Sequence, residues 1–146
     1  MPARPVVRLY SPEVLGLATD LAHYPLDDAL PLQAEARSRS CGSVMTLGLA
    51  LGEDGGVAAI GMTVSACAIG QASASLFARS AIGTDPSKII DTAATVERWV
   101  SGEGALPDWP QLDLLAPALA HPGRHGAVLL PWKAACAALS PRGVSR

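Results

Sequence analysis

The strongest regularity in the chain lies between residues 44 and 64. Met45, Leu47, Leu49 and Leu51 alternate with smaller or polar neighbours, which is the two-residue period of a strand with one buried face. Glu53-Asp54-Gly55-Gly56 is a turn, after which Ile60, Met62 and Val64 resume the pattern. These positions predict a β-hairpin of strands 44–51 and 57–64, with residue 44 opposite about residue 64. From 68 to 82 the period becomes helical: Ile69, Ala72, Leu76 and Ser80 share a face, and Gly83 ends the run. Gly70, Ala72, Ser73, Ala74 and Ser75 keep that helix slim, so it can lie close to the sheet.

Flanking segments are helical or irregular. Ser11 caps a first helix with Pro12 in its first turn and Val14, Leu17, Ala18 and Leu21 on one face. Residues 23–36 hold two prolines and no period, which predicts a loop with a short strand entering at Ala36. Asp85-Pro86 opens a helix with Ile89, Ala93, Val96 and Val100 aligned, stopped by Gly102. A Gly/Pro loop fills 102–110, and a short helix over 111–120 is limited or bent by Pro117. The last helix spans 124–139, where Pro131 predicts a kink or a break into two pieces, and the tail 141–146 is expected to fray. Together these elements predict one α+β domain over residues 1–146: a small antiparallel sheet around a central β-hairpin, packed on one side by several helices.

Composition narrows the function classes. Apolar residues make up 49% and charged residues 16%, a balance that excludes a disordered chain. A net charge of −2 provides no strong field for nucleic acid or an anionic membrane. No stretch is long enough to span a bilayer, and the first residues contain no signal-type apolar core. Three cysteines are too few for a disulfide scaffold. The expectation is a cytoplasmic protein with reduced thiols and neither nucleic-acid nor membrane partners.

Cys41 precedes the hairpin and Cys67 follows it, so antiparallel pairing returns both to one end of the sheet. Cys67 also begins a helix, a setting of free N–H groups and positive dipole that favours thiolate, the form that binds metal or accepts sulfur. The alternative is that both are small buried residues. Cys136 lies in Ala134-Ala135-Cys136-Ala137-Ala138 and reads as packing, while His23 and His121 read as surface residues. The chain has no C-x-x-C, H-E-x-x-H, P-loop, G-x-G-x-x-G or G-x-S-x-G motif.

Four segments resemble the NifU/IscU/SufU-type iron–sulfur cluster assembly scaffolds. Cys41-Gly42 stands where that family has C-G-D. Ala66-Cys67-Ala68-Ile69-Gly70-Gln71-Ala72-Ser73-Ala74-Ser75 resembles its G-C-x-I-S-x-A-S-x-S. Tyr10-Ser11-Pro12-Glu13-Val14-Leu15 is similar to its first helix. The segment from Arg124 to Trp132-Lys133-Ala134 resembles the R-V-K-C-A-x-L-x-W-K-A of the SufU branch. The resemblance covers nearly the whole chain and implies a scaffold or carrier rather than an enzyme. It would hold iron and sulfide, as a [2Fe–2S] cluster, through Cys41 and Cys67. Its implied partners are a cysteine desulfurase and recipient apoproteins.

Two family ligands are missing. Ser43 replaces the aspartate and Ala127 the third cysteine, while Cys136 is nine residues beyond Ala127. At ~3.6 residues per turn that spacing puts Cys136 on the opposite helical face. His125, Ser43 or water, or a homodimer sharing one cluster through four thiolates would complete the set. The alternatives are a zinc-dependent sulfur acceptor serving the desulfurase, and an interaction module that keeps the fold without metal.

Overall fold

The computed structural model describes residues 10–39 and 42–140. Three strands form an antiparallel meander in the order β1 (Leu32–Ser38), β2 (Ser43–Leu51) and β3 (Val57–Ser65). The predicted hairpin is β2–β3, paired from Val44↔Ser65 to Leu51↔Val57, with a register shift between Ala50 and Leu51. Met45, Leu47 and Leu49 are fully buried, as their alternation requires.

β1 is longer than the short strand expected at Ala36. It has strand period, with Gln33, Glu35 and Arg37 exposed and Ala36 and Ser38 buried. Its inner positions are Leu32, Ala34, Ala36 and Ser38, mostly too small to stand out as a hydrophobic alternation.

The other face of the sheet carries a cross-strand glycine pair, Gly48↔Gly61. Residues 24–30 lie in the trench this pair leaves. Pro25 bridges to Met62, and the Met62 N–H donates to the Tyr24 carbonyl at 2.8 Å. A Cβ at Gly61 would collide with the Pro25 carbonyl oxygen, whereas one at Gly48 would lie 3.0 Å from the Leu30 side chain. The bare backbone at Gly61 is therefore what admits the loop.

The helices are α1 (Pro12–Thr19), α2 (Ala68–Ala81), α3 (Pro86–Val100) and α4 (His125–Leu139). α4 is the central one, packing on β1, β2, α2 and α3. Buried residues surround it, including Ala127, Val128, Leu130, Trp132, Ala134 and Ala135. It continues through Pro131 instead of dividing there. Packing from several sides holds it, and the Ser73 hydroxyl of α2 donates to its Val128 carbonyl at 2.6 Å. Residues Leu112–Ala120 wind as a 3-10 helix, tighter than an α-helix, with Pro117 inside it lacking an N–H to donate. Phe77, Trp109 and Trp132 gather in the core. Phe77 stacks on Trp109 at 5.9 Å, and Trp132 meets the two edge-on at 5.1 and 4.8 Å. No helix among the described residues is long and apolar enough to cross a membrane.

Gly61→Ala is expected to destabilise the fold by about 1–3 kcal/mol, because its methyl meets backbone that has little room to yield. Gly48→Ala should cost less, because it meets side chains. Chemical denaturation of the two variants checks the order; equal stabilities would contradict it.

Candidate functional site at one end of the sheet

Strand pairing builds the site. Ser38↔Ser43 ends the β1–β2 ladder and Val44↔Ser65 begins the β2–β3 ladder, so the β1–β2 turn and the exit of β3 share one end of the sheet. The observed partner of residue 44 is one position from the expected one. Cys41 lies outside the described residues. Its neighbour Gly42 donates its N–H to the Ser38 carbonyl at 2.9 Å and has a φ of 70°, a left-handed conformation suited to glycine. Ser43 is buried at the first position of β2.

From Ser65 the chain passes through Ala66 to Cys67, the extended N-cap of α2. The half-buried Cys67 side chain makes no capping hydrogen bond. Two bonds from Gln71 fix this junction: its backbone N–H donates to the Cys67 carbonyl at 3.0 Å, and its side-chain amide donates to the Ala66 carbonyl at 2.8 Å. The sequence reading missed Gln71; its only signal is a polar residue one turn after the cysteine. The far end of α2 is tied to the start of β3, where the Gly83 N–H donates to the Val57 carbonyl at 2.7 Å. The slim helix thus runs back along the strand and presents its N-terminus, with the thiol, at the sheet end.

The first turn of α4 packs against that N-terminus. Ala127 is fully buried, and a Cβ at Gly70 would stand 3.6 Å from its methyl carbon. The position where the resemblance expects a third cysteine therefore lies against the first turn of α2, filled by a methyl group. His125, two residues earlier, is half-buried, and its Nε2 donates to the Leu119 carbonyl at 2.8 Å. That bond anchors the start of α4 to the preceding 3-10 segment and commits one ring nitrogen. Among the described residues, no three His, Cys, Asp or Glu side chains are grouped to hold a metal ion.

The same geometry links two departures from the scaffold motif. Where the motif has glycine and serine, this chain has Ala66 and Gly70. A Cβ at Gly70 would lie only 2.7 Å from the Ala66 Cβ, closer than two such carbons can approach. The methyl of Ala66 takes the space that a side chain at 70 would need.

Cys136 is elsewhere, half-buried between α3 and α4. Burial pushes its thiol pKa up, and the Glu97 carboxylate adds to the effect, so at neutral pH it remains an uncharged thiol.

The α+β fold of this chain matches that of known structures. No protein-family model matches the sequence, and no curated protein matches it at a significant level. Solved structures do match. The N-terminal part of a nitrogen-fixing NifU-like protein from Brucella abortus is 26% identical, with a TM-score of 0.78 over 86% of this chain and 88% of that one. A SUF-system protein from thermophilic Fervidobacterium islandicum, described as an iron–sulfur cluster assembly scaffold, shares the fold at 19% identity. Its TM-score is 0.80 over 90% of this chain and 96% of that one. The resemblance read from the sequence thus extends to the three-dimensional fold.

Gly70→Ser alone is expected to destabilise the protein by about 1–3 kcal/mol through overpacking on Ala66. Ala66→Gly together with Gly70→Ser should recover much of that loss. Denaturation of the two single variants and the double measures the coupling; strictly additive effects would refute the link between the two positions.

Proposed function

We propose that this chain is an iron–sulfur cluster assembly scaffold or carrier, receiving sulfur from a cysteine desulfurase and passing its cargo to recipient apoproteins. Cys41 and Cys67 hold iron and sulfide, with a [2Fe–2S] cluster as the expected cargo. The observation that carries this reading is the Cys67 thiol, which caps α2 without a hydrogen bond at the sheet end to which the β1–β2 turn returns. Free N–H groups and the positive end of the α2 dipole favour negative charge there, on a thiolate or on a thiolate-bound cluster. Likeness to the NifU-like domain and the SUF-system scaffold supports the general role.

A cluster with four thiolate positions needs two ligands beyond Cys41 and Cys67. Two copies sharing one cluster supply them from the same pair of cysteines. His125 and Ser43 are the other candidates within the chain, and one ring nitrogen of His125 is already bonded.

A second reading, a zinc-dependent sulfur acceptor, draws on the sequence resemblance to the SufU branch. The residues fit it less well, because structural zinc takes four ligands and this chain has Ala127 and Ser43 in place of a thiol and a carboxylate.

Anaerobic reconstitution with iron and sulfide tests the proposal. The wild-type chain should gain visible sulfur-to-iron charge-transfer absorption, and Cys41→Ser/Cys67→Ser should lose it, while Cys136→Ser retains it. No absorption in the wild type, or equal absorption in the double variant, would overturn the assignment. About one zinc per chain in protein purified without added metal would favour the second reading.

A further inference from the structure

The start of α2 is held in an unusual way. A serine, threonine, asparagine or aspartate N-cap commits its side-chain oxygen to an N–H of the first turn, and that bond holds the start of the helix. α1 and α3 follow this rule: Ser11 accepts from the Val14 N–H and Asp85 from the Ser87 N–H. Cys67 makes no such bond, although its backbone has the extended N-cap conformation, with φ −66° and ψ 172°. The hold comes from Gln71 instead. Ala66 precedes the N-cap and Gln71 is the fourth residue of the helix, the two positions that apolar side chains often clasp to fix the entry angle of the chain. Ala66 offers only a methyl, and here the clasp is polar: the Gln71 side-chain amide donates to the Ala66 carbonyl at 2.8 Å. The Gln71 backbone N–H donates to the Cys67 carbonyl at 3.0 Å. One residue therefore grips both peptide groups that flank Cys67. Because a trans peptide is planar, fixing the two groups fixes the direction in which the Cys67 side chain leaves the backbone.

We infer that Gln71 is the positioning residue of the Cys67 thiol. It takes over the task of an N-cap side chain and leaves the sulfur uncommitted to the helix it begins. A sulfur engaged with the first-turn N–H groups would have to give up those bonds, or share them, when it took up cargo. The Gln71 amide removes that competition. This role rests on the reading of Cys67 as the thiol that holds cargo.

Gln71→Met keeps the length and helix preference of the side chain and removes its donor. Two measurements on the full-length, metal-free, reduced protein test the role. In chemical denaturation, Gln71→Met should lower the folded-to-unfolded ratio by roughly three- to tenfold, the weight of one hydrogen bond. In a Cys67→Ser background the same substitution should cost clearly less, because serine caps α2 itself. With a short bifunctional thiol reagent, the rate of linking Cys41 to Cys67 relative to single-arm modification should fall in Gln71→Met by a similar factor, with circular dichroism unchanged. Equal losses in the two backgrounds, or linking as fast without the amide as with it, would overturn the inference. Reconstitution with iron and sulfide separates this role from the reading beneath it. A wild type without charge-transfer absorption removes the cargo role of Cys67. Absorption in the wild type, together with unaltered linking in Gln71→Met, removes only the role of Gln71.

Discussion

The distance between α2 and α4 at their first turns governs the end of the molecule where Cys67 lies. Ala127 of α4 is fully buried there, and a Cβ at Gly70 would stand in ordinary van der Waals contact with it, at 3.6 Å. Ala66 then uses the remaining space, and Gln71 ties the Ala66–Cys67 junction to the helix it begins. A larger side chain at 70 would meet the Ala66 methyl and push the junction that carries the cysteine aside. Small side chains, scarce in chemistry, are here the means of placing a reactive one.

The hairpin and the two helices after it were legible because their inner positions are large and regularly spaced: Met45, Leu47 and Leu49 on the strand, Ile89, Val96 and Val100 on α3. β1 was largely hidden because a strand lined by alanine and serine has the period without the hydrophobic contrast. Of the two outcomes expected at Pro131, the break into two pieces does not occur, because local rules count the lost hydrogen bond but not the packing around a central helix. Cys67 could be found from its motif. The coupling of Ala66 to Gly70 could not, since it depends on how closely two carbons four residues apart approach in the folded chain.

The chemistry of the thiol end differs from the pattern it resembles in a definite way. Ala127 and Ser43 replace an ionisable thiol and a carboxylate with groups that carry no charge at neutral pH. A cargo held there as proposed would meet less negative charge from the chain, and more of its coordination sphere would be open to ligands from outside. Cys136 does not compensate, because it sits between α3 and α4 as an uncharged, half-buried thiol.

The central claim is that Cys41 and Cys67 of one chain lie close enough to share a ligand. A bifunctional thiol reagent spanning less than about 7 Å, roughly three metal–sulfur bonds of about 2.3 Å, tests it on dilute, metal-free, reduced protein. Peptide mapping should find an intrachain link between Cys41 and Cys67, with Cys136 outside it. Failure to link those two thiols within one chain, with both still open to single-arm modification, would contradict the account.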